Sequence, residues 1–146
     1  MSRFFDLDAA NETIPELRTI LETLRDERQQ LISLRDEFAR QAALETTPGG
    51  GSSDDSAATR ARAGAAQRKR LRLRMQGVID QMQAGVARID ELGVTLREIE
   101  TGLIDFPALV NGRQVWLCWR LGEGDVEWWH ELSDGFGGRR PLIELG

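Results

Sequence analysis

Cysteine, histidine and lysine each occur once in this chain, and tyrosine does not occur at all. The lone Cys118 excludes an internal disulfide and every paired-cysteine metal motif, and makes a reducing, cytoplasmic setting the default expectation. The lone His130 excludes signatures that need two histidines on one helix. No apolar run approaches the ~20 residues that a membrane-spanning helix needs. The opening Ser2-Arg3-Phe4-Phe5-Asp6 lacks the extended apolar core of a signal peptide. Basic residues are in deficit too: the net charge is -5, which argues against nucleic acid as the main partner. One stretch runs the other way. From Arg60 to Arg74 there are seven basic residues and no acidic one. That stretch is either a solvated helix face or a contact for a phosphate backbone.

With 146 residues and 40% hydrophobic content the chain suits a single domain. Residues 1–45 read as a short extended lead-in and a first helix. Phe4 and Phe5 are placed to add an edge strand to a sheet, and Asp6 to cap the helix that follows. Apolar residues then recur at Ala10, Ile14, Leu17, Leu21, Leu24, Leu31 and Phe38, the spacing of one helical face. Pro15 must restart or kink that helix, because it has no backbone donor. Arg28 and Arg35 occupy seam positions where leucine is expected. They either snorkel to the seam's edge or, for Arg28, point into a polar pocket.

Residues 46–56, TTPGGGSSDDS, form a flexible linker. Residues 57–101 read as the second helix, with a stripe of Leu71, Met75, Val78, Met82, Val86, Ile89, Leu92, Leu96, Ile99 and Leu103, and Gly102 as its stop. Gly85 and Gly93 lie beside the seam and permit close approach of another helix. The polar stretch from Ala57 to Lys69 has no stripe and is expected to fray. Two striped helices joined by one linker imply an antiparallel hairpin. So long a seam also favours a homodimer.

Residues 102–146 hold all four Trp and read as strands. Asn111-Gly112 suits a two-residue hairpin turn, since both turn positions need positive φ. Counting outward from it pairs Val110 with Arg113 and Asp105 with Cys118. A second loop, Gly122 to Asp125, returns the chain. If it closes symmetrically, Cys118 pairs with Trp129 and the sheet sorts into two faces. One carries Phe106, Ala108, Val110, Val115, Leu117, Trp119, Leu121, Val126, Trp128 and His130. The other mixes Asp105, Pro107, Trp116, Cys118, Arg120, Glu127, Trp129 and Glu131. A slip of one residue exchanges the faces of the third strand and brings His130 opposite Cys118. The expected fold class is α+β: a long antiparallel helical hairpin followed by a three-stranded antiparallel β-meander.

The polar groups near this sheet are Asp105, Cys118, Glu123, His130, Glu131 and Arg139. Sulfur, imidazole and carboxylate together suit zinc, although their spacing matches no metal motif. A Cys118 nucleophile activated by His130 requires the slipped register. The plainer reading makes Cys118 a small buried hydrophobe and His130 a core histidine bonded to a carbonyl or a carboxylate. Trp116 and Trp129, with Asp105 and Arg120, offer a wall for a protein or small-molecule ligand.

The chain resembles a bacterial family known as domain of unknown function 2203. The resemblance rests on FFDLDAANETIPELRTILETLRDER near the start and GLIDFPALVNGRQVWLCWRLGE in the strand region. WWHEL and DGFGGR follow in order. It implies an architecture rather than an activity, since no reaction is established for the family. Carried over residue by residue, the family's polar signature falls on Asp105, Cys118, Glu123, His130 and Arg139. Together these features favour a binding and assembly module. A metal- or ligand-dependent enzyme using those five residues is the alternative, and nucleic-acid association through the arginine-rich stretch a further one.

Overall fold

The computed structural model describes residues 3–45 and 54–145. Two long helices, α1 (Leu7–Glu45) and α2 (Asp54–Glu91), precede an antiparallel sheet. Among the described residues the sheet has five strands rather than the three expected. They are β1 (Thr95–Glu98), β2 (Leu103–Val110), β3 (Arg113–Arg120), β4 (Trp128–His130) and β5 (Arg140–Pro141), in sequential order across the sheet. The chain divides into two compact units: Met1–Asp26 with Gln83–Gly146, which holds the sheet, and Glu27–Met82, whose described residues are all helical.

In the sheet unit, α1 starts where its cap dictates. The Ala9 amide donates to Asp6 Oδ1 at 2.7 Å, satisfying a donor that has no partner within the helix. The helix does not restart at Pro15, which lies inside α1. The expected stripe is buried at Ala10, Ile14, Leu17, Leu21 and Leu24. Phe5 does not form an edge strand. It makes a single parallel bridge to Ala108, its amide donating to the Pro107 carbonyl at 2.7 Å. From α2, Ile89 joins this core, and Gly85 lies so close to Leu24 that an added Cβ would stand 3.0 Å from its methyl carbon.

The largest correction concerns where α2 ends. It stops at Glu91, ten residues short of Thr101. Gly93 adopts a φ of +81°. The Gly93 amide donates to the Asp90 carbonyl, and the Val94 amide to the Ile89 carbonyl. These are the two bonds of a Schellman stop, and its hydrophobic contact is supplied by Ile89 and Val94, both buried. Leu96 therefore belongs to β1, which pairs with β2, and the apparent stripe through Leu96 and Ile99 is accidental. Gly102 is a turn residue between β1 and β2, at φ +66°, where a Cβ would stand 2.5 Å from that of Leu121.

The β2–β3 hairpin forms as expected. Asn111 and Gly112 have φ of 52° and 76°, Val110 pairs with Arg113, and Asp105 pairs with Cys118. The next loop is not symmetric. Cys118 pairs with Trp128, Leu117 with Trp129 and Trp116 with His130. The slip runs opposite to the one weighed above, and its consequence is the exchange of β4's faces. The cause lies in how the loop is anchored. The Val126 amide donates to Asn11 Oδ1 at 2.7 Å, and Trp119 Nε1 donates to the Gly124 carbonyl at 2.7 Å. A side chain from α1 and an indole thus set the loop's span, which local turn geometry does not.

Trp129 accordingly leaves the mixed face. It is buried beside Leu117, with its Nε1 donating to the Pro141 carbonyl at 3.2 Å. Trp128 and His130 move onto the face of Asp105 and Cys118.

The helical unit has its own small core. Leu34, Leu71 and Val78 are buried, with Leu31, Phe38, Met75 and Met82 packed against them. The seam turns at Glu27 and Leu34, which are buried where Arg28 and Arg35 were expected. Arg28 is half-buried and Arg35 exposed. Of the linker, residues 46–53 lie outside the described residues, and Asp54 already belongs to α2. The arginine-rich stretch is regular helix, with Arg60, Arg62, Arg70, Arg72 and Arg74 exposed.

Candidate metal centre

Three adjacent strands of the sheet unit each deliver one donor to the mixed face. Asp105 comes from β2, Cys118 from β3 and His130 from β4, all nearly inaccessible at 2%, 1% and 1% exposure. Their ligand-type atoms lie within 4.8 Å of one another. Two registers bring this about. The Asn111-Gly112 turn sets Asp105 against Cys118, and the slipped loop turns His130 toward both.

Hydrogen bonds fix the orientation of His130 and Asp105. His130 Nδ1 lies 2.9 Å from the Glu131 carbonyl oxygen. A carbonyl can only accept, so Nδ1 carries a hydrogen and donates it. His130 Nε2 then faces Asp105 Oδ1 at 3.0 Å. That contact also needs a proton, which the pair shares in the absence of a cation. The other oxygen, Asp105 Oδ2, accepts from Arg97 Nε at 2.8 Å. Arg97 sits at the irregularity in β1 between Leu96 and Glu98, and such bulges re-aim side chains.

Burial and the carboxylate of Asp105 push the Cys118 thiol up to about 12; Arg139 opposes the shift, but more weakly. A thiol held so far above its ordinary range stays protonated near neutrality and is a poor nucleophile. The exchange of β4's faces thus places Cys118 and His130 on one face, as a nucleophile–base pair would require. The electrostatics do not activate the sulfur, and His130 Nε2 is committed to Asp105.

Glu123 and Arg139 form a second group. Glu123 Oε1 accepts from the Arg120 amide at 2.7 Å and from Arg139 Nη2 at 2.9 Å. The guanidinium lies 4.8 Å over the ring of Trp128 and 4.6 Å over that of Phe136. Its Nε is buried without a partner. Of the remaining candidates, Trp116 lies beneath Arg97, 4.9 Å from its guanidinium carbon. Trp129 faces the core, and Arg28 belongs to the helical unit.

Arg97, Trp128 and the Glu131 carbonyl were not foreseen. Arg97 was hidden inside the overlong helix. Stopping that helix at Gly93 rather than Gly102 is the signal that reveals it.

The donor types are ones that zinc accepts. The triad supplies one sulfur, one nitrogen and one oxygen. The histidine's other nitrogen is tied to a carbonyl, and the carboxylate's other oxygen to an arginine. Outer contacts of these kinds orient metal ligands. Tetrahedral zinc with bonds of about 2.0–2.3 Å would set its ligand atoms roughly 3.3–3.8 Å apart, so the 3.0 Å pair of Asp105 and His130 would open slightly and the wider separations, up to 4.8 Å, would close.

No curated protein and no solved structure matches this chain. A family profile does, over residues 3–142. The chain belongs to the family described as "Uncharacterized conserved protein (DUF2203)".

Proposed function

We propose that the sheet unit is a binding module for a divalent metal ion of the zinc type, held by Asp105, Cys118 and His130. The observation that carries the reading is the burial of these three donors within 4.8 Å, together with the bond from His130 Nδ1 to a carbonyl. A buried carboxylate, imidazole and thiol are costly to keep together without compensation. A cation replaces the proton shared by Asp105 and His130 and draws the proton off Cys118, as thiolate ligation requires. Three protein donors leave a fourth position for water or another ligand.

Cobalt titration of tag-free protein tests this. Thiolate ligation to cobalt is expected to give a near-ultraviolet charge-transfer band that saturates at a single ion per chain. Cys118→Ser should remove the band, and His130→Gln should weaken binding. Purified protein that retains no metal and shows no Cys118-dependent band would overturn the reading.

A further inference from the structure

Beside Asp105 the sheet unit opens into a cleft of about 370 Å³. That volume lies within the ~300–1,000 Å³ usual for small-molecule sites. The charged residues around it are Arg97, Glu98, Asp105 and Asp134, and its apolar wall includes Leu132 and Phe136. Arg97 spends its Nε on Asp105 and rests its guanidinium over Trp116. Its two terminal nitrogens have no hydrogen-bond partner among the described residues. An arginine anchored in this way presents a fixed pair of donors, the geometry that a carboxylate accepts.

A simple anion would fit poorly, however. Glu98 and Asp134 also face the cleft, and neither carboxylate has an ion-pair partner among the described residues. A ligand that satisfies Arg97 without meeting repulsion must carry a positive group as well. Leu132 and Phe136 are 51% and 38% exposed, leaving apolar surface for a hydrocarbon body. We propose that this cleft binds a small zwitterion of the amino-acid type. Its carboxylate meets Arg97, its ammonium turns toward Glu98 or Asp134, and its side chain lies against Leu132 and Phe136. The inference goes beyond the metal reading and does not depend on it, because Arg97, Glu98 and Asp134 are in place without an ion.

Chelator-treated, nitrogen-labelled full chain provides the test, so failure here is separable from failure of the metal site. It is titrated with L-leucine, with isocaproate, which lacks the amine, and with isoamylamine, which lacks the carboxylate. Leucine at millimolar concentration is expected to shift the Trp116 indole and the Asp134 and Phe136 amide signals. Each half-ligand should bind at least roughly tenfold more weakly, a difference of about 1.4 kcal/mol. Arg97→Met should abolish the leucine shifts. Leu132→Arg, a change at an exposed side chain that fills the cleft without touching the core, should do the same. Absence of shifts with leucine overturns the proposal, as does equal binding of either half-ligand. So does leucine binding that persists in the folded Leu132→Arg protein.

Discussion

The two units treat charge in opposite ways. In the sheet unit, Asp105 and His130 are buried and held by specific partners, with Arg97 reaching in from the edge. In the helical unit most charges stand in water. Among the described residues the one buried charge there is Glu27, 9% exposed, which interrupts a leucine seam and whose carboxyl is raised above its ordinary value by burial. The contrast separates two kinds of buried charge. One belongs to a network that three strands converge to build. The other occupies a seam position that an apolar side chain would fill better. Exposed arginines along α2 need neither account, since solvated charges on a helix face contribute little either way.

This contrast can be broken most severely at Asp105. Asp105→Leu leaves the His130 and Arg97 groups without their shared acceptor. Breaking one member of a buried ionic network typically costs about 3–5 kcal/mol. Urea denaturation should therefore show the sheet unit strongly destabilised, and cobalt binding should be lost. A loss below about 1 kcal/mol would mean that the network is solvated rather than buried.

The next effect is one of pH. In metal-free protein the folded chain keeps a Cys118 proton that the unfolded chain releases. The thiol's contribution is therefore fully present below its ordinary value of 9.0 and is lost as the pH rises toward about 12. Stability should fall through that window, and Cys118→Ala should flatten the fall. Alkylation of Cys118 by iodoacetamide should be slow in the native protein and fast after unfolding. Bound metal should reverse the dependence, because it holds the thiolate.

The smallest effect belongs to Glu27. A carboxyl raised by burial contributes stability while protonated, and that contribution disappears as the pH rises past its folded value. Near neutrality the ionised group is a liability. Glu27→Leu should raise stability at neutral pH by on the order of 1 kcal/mol. The gain should shrink as the pH falls toward 4.5, the group's ordinary value. A thermal melt at neutral and at acidic pH distinguishes this from a simple gain in helix propensity. If the charge of Glu27 were solvated, the two gains would be equal.

Much of the architecture was legible from short-range rules. The Asp6 cap, the α1 stripe from Ala10 to Leu24 and the Asn111-Gly112 turn each depend on a few neighbouring residues. The same turn was sufficient to bring Asp105 opposite Cys118. What escaped was decided by partners distant in the chain. Leu92, Leu96 and Ile99 continue a helical spacing, and that stripe masks the distinction between a stop at Gly93, which the bonds of Gly93 and Val94 build, and one at Gly102. The pairing of Thr95 and Leu96 with β2 makes that distinction. Likewise, the loop after β3 is set by Asn11, 115 residues from the Val126 amide that it holds. An expectation that the loop closes symmetrically has no access to that bond.

Local sequence therefore determined where α1 begins and which of its faces is buried, which residues form the first hairpin, and that Asp105 and Cys118 share a face. Those outcomes follow from backbone stereochemistry and from side-chain periods of 3.6 and 2, which act over a few residues. The tertiary structure decided that His130 joins them, that Arg97 orients Asp105, and that Trp129 turns to the core. In a pleated strand, a shift of a single residue sends every side chain to the opposite face. The register of β4 is set by contacts from α1 and β3, so the composition of the site depends on bonds that no local stretch of the chain contains.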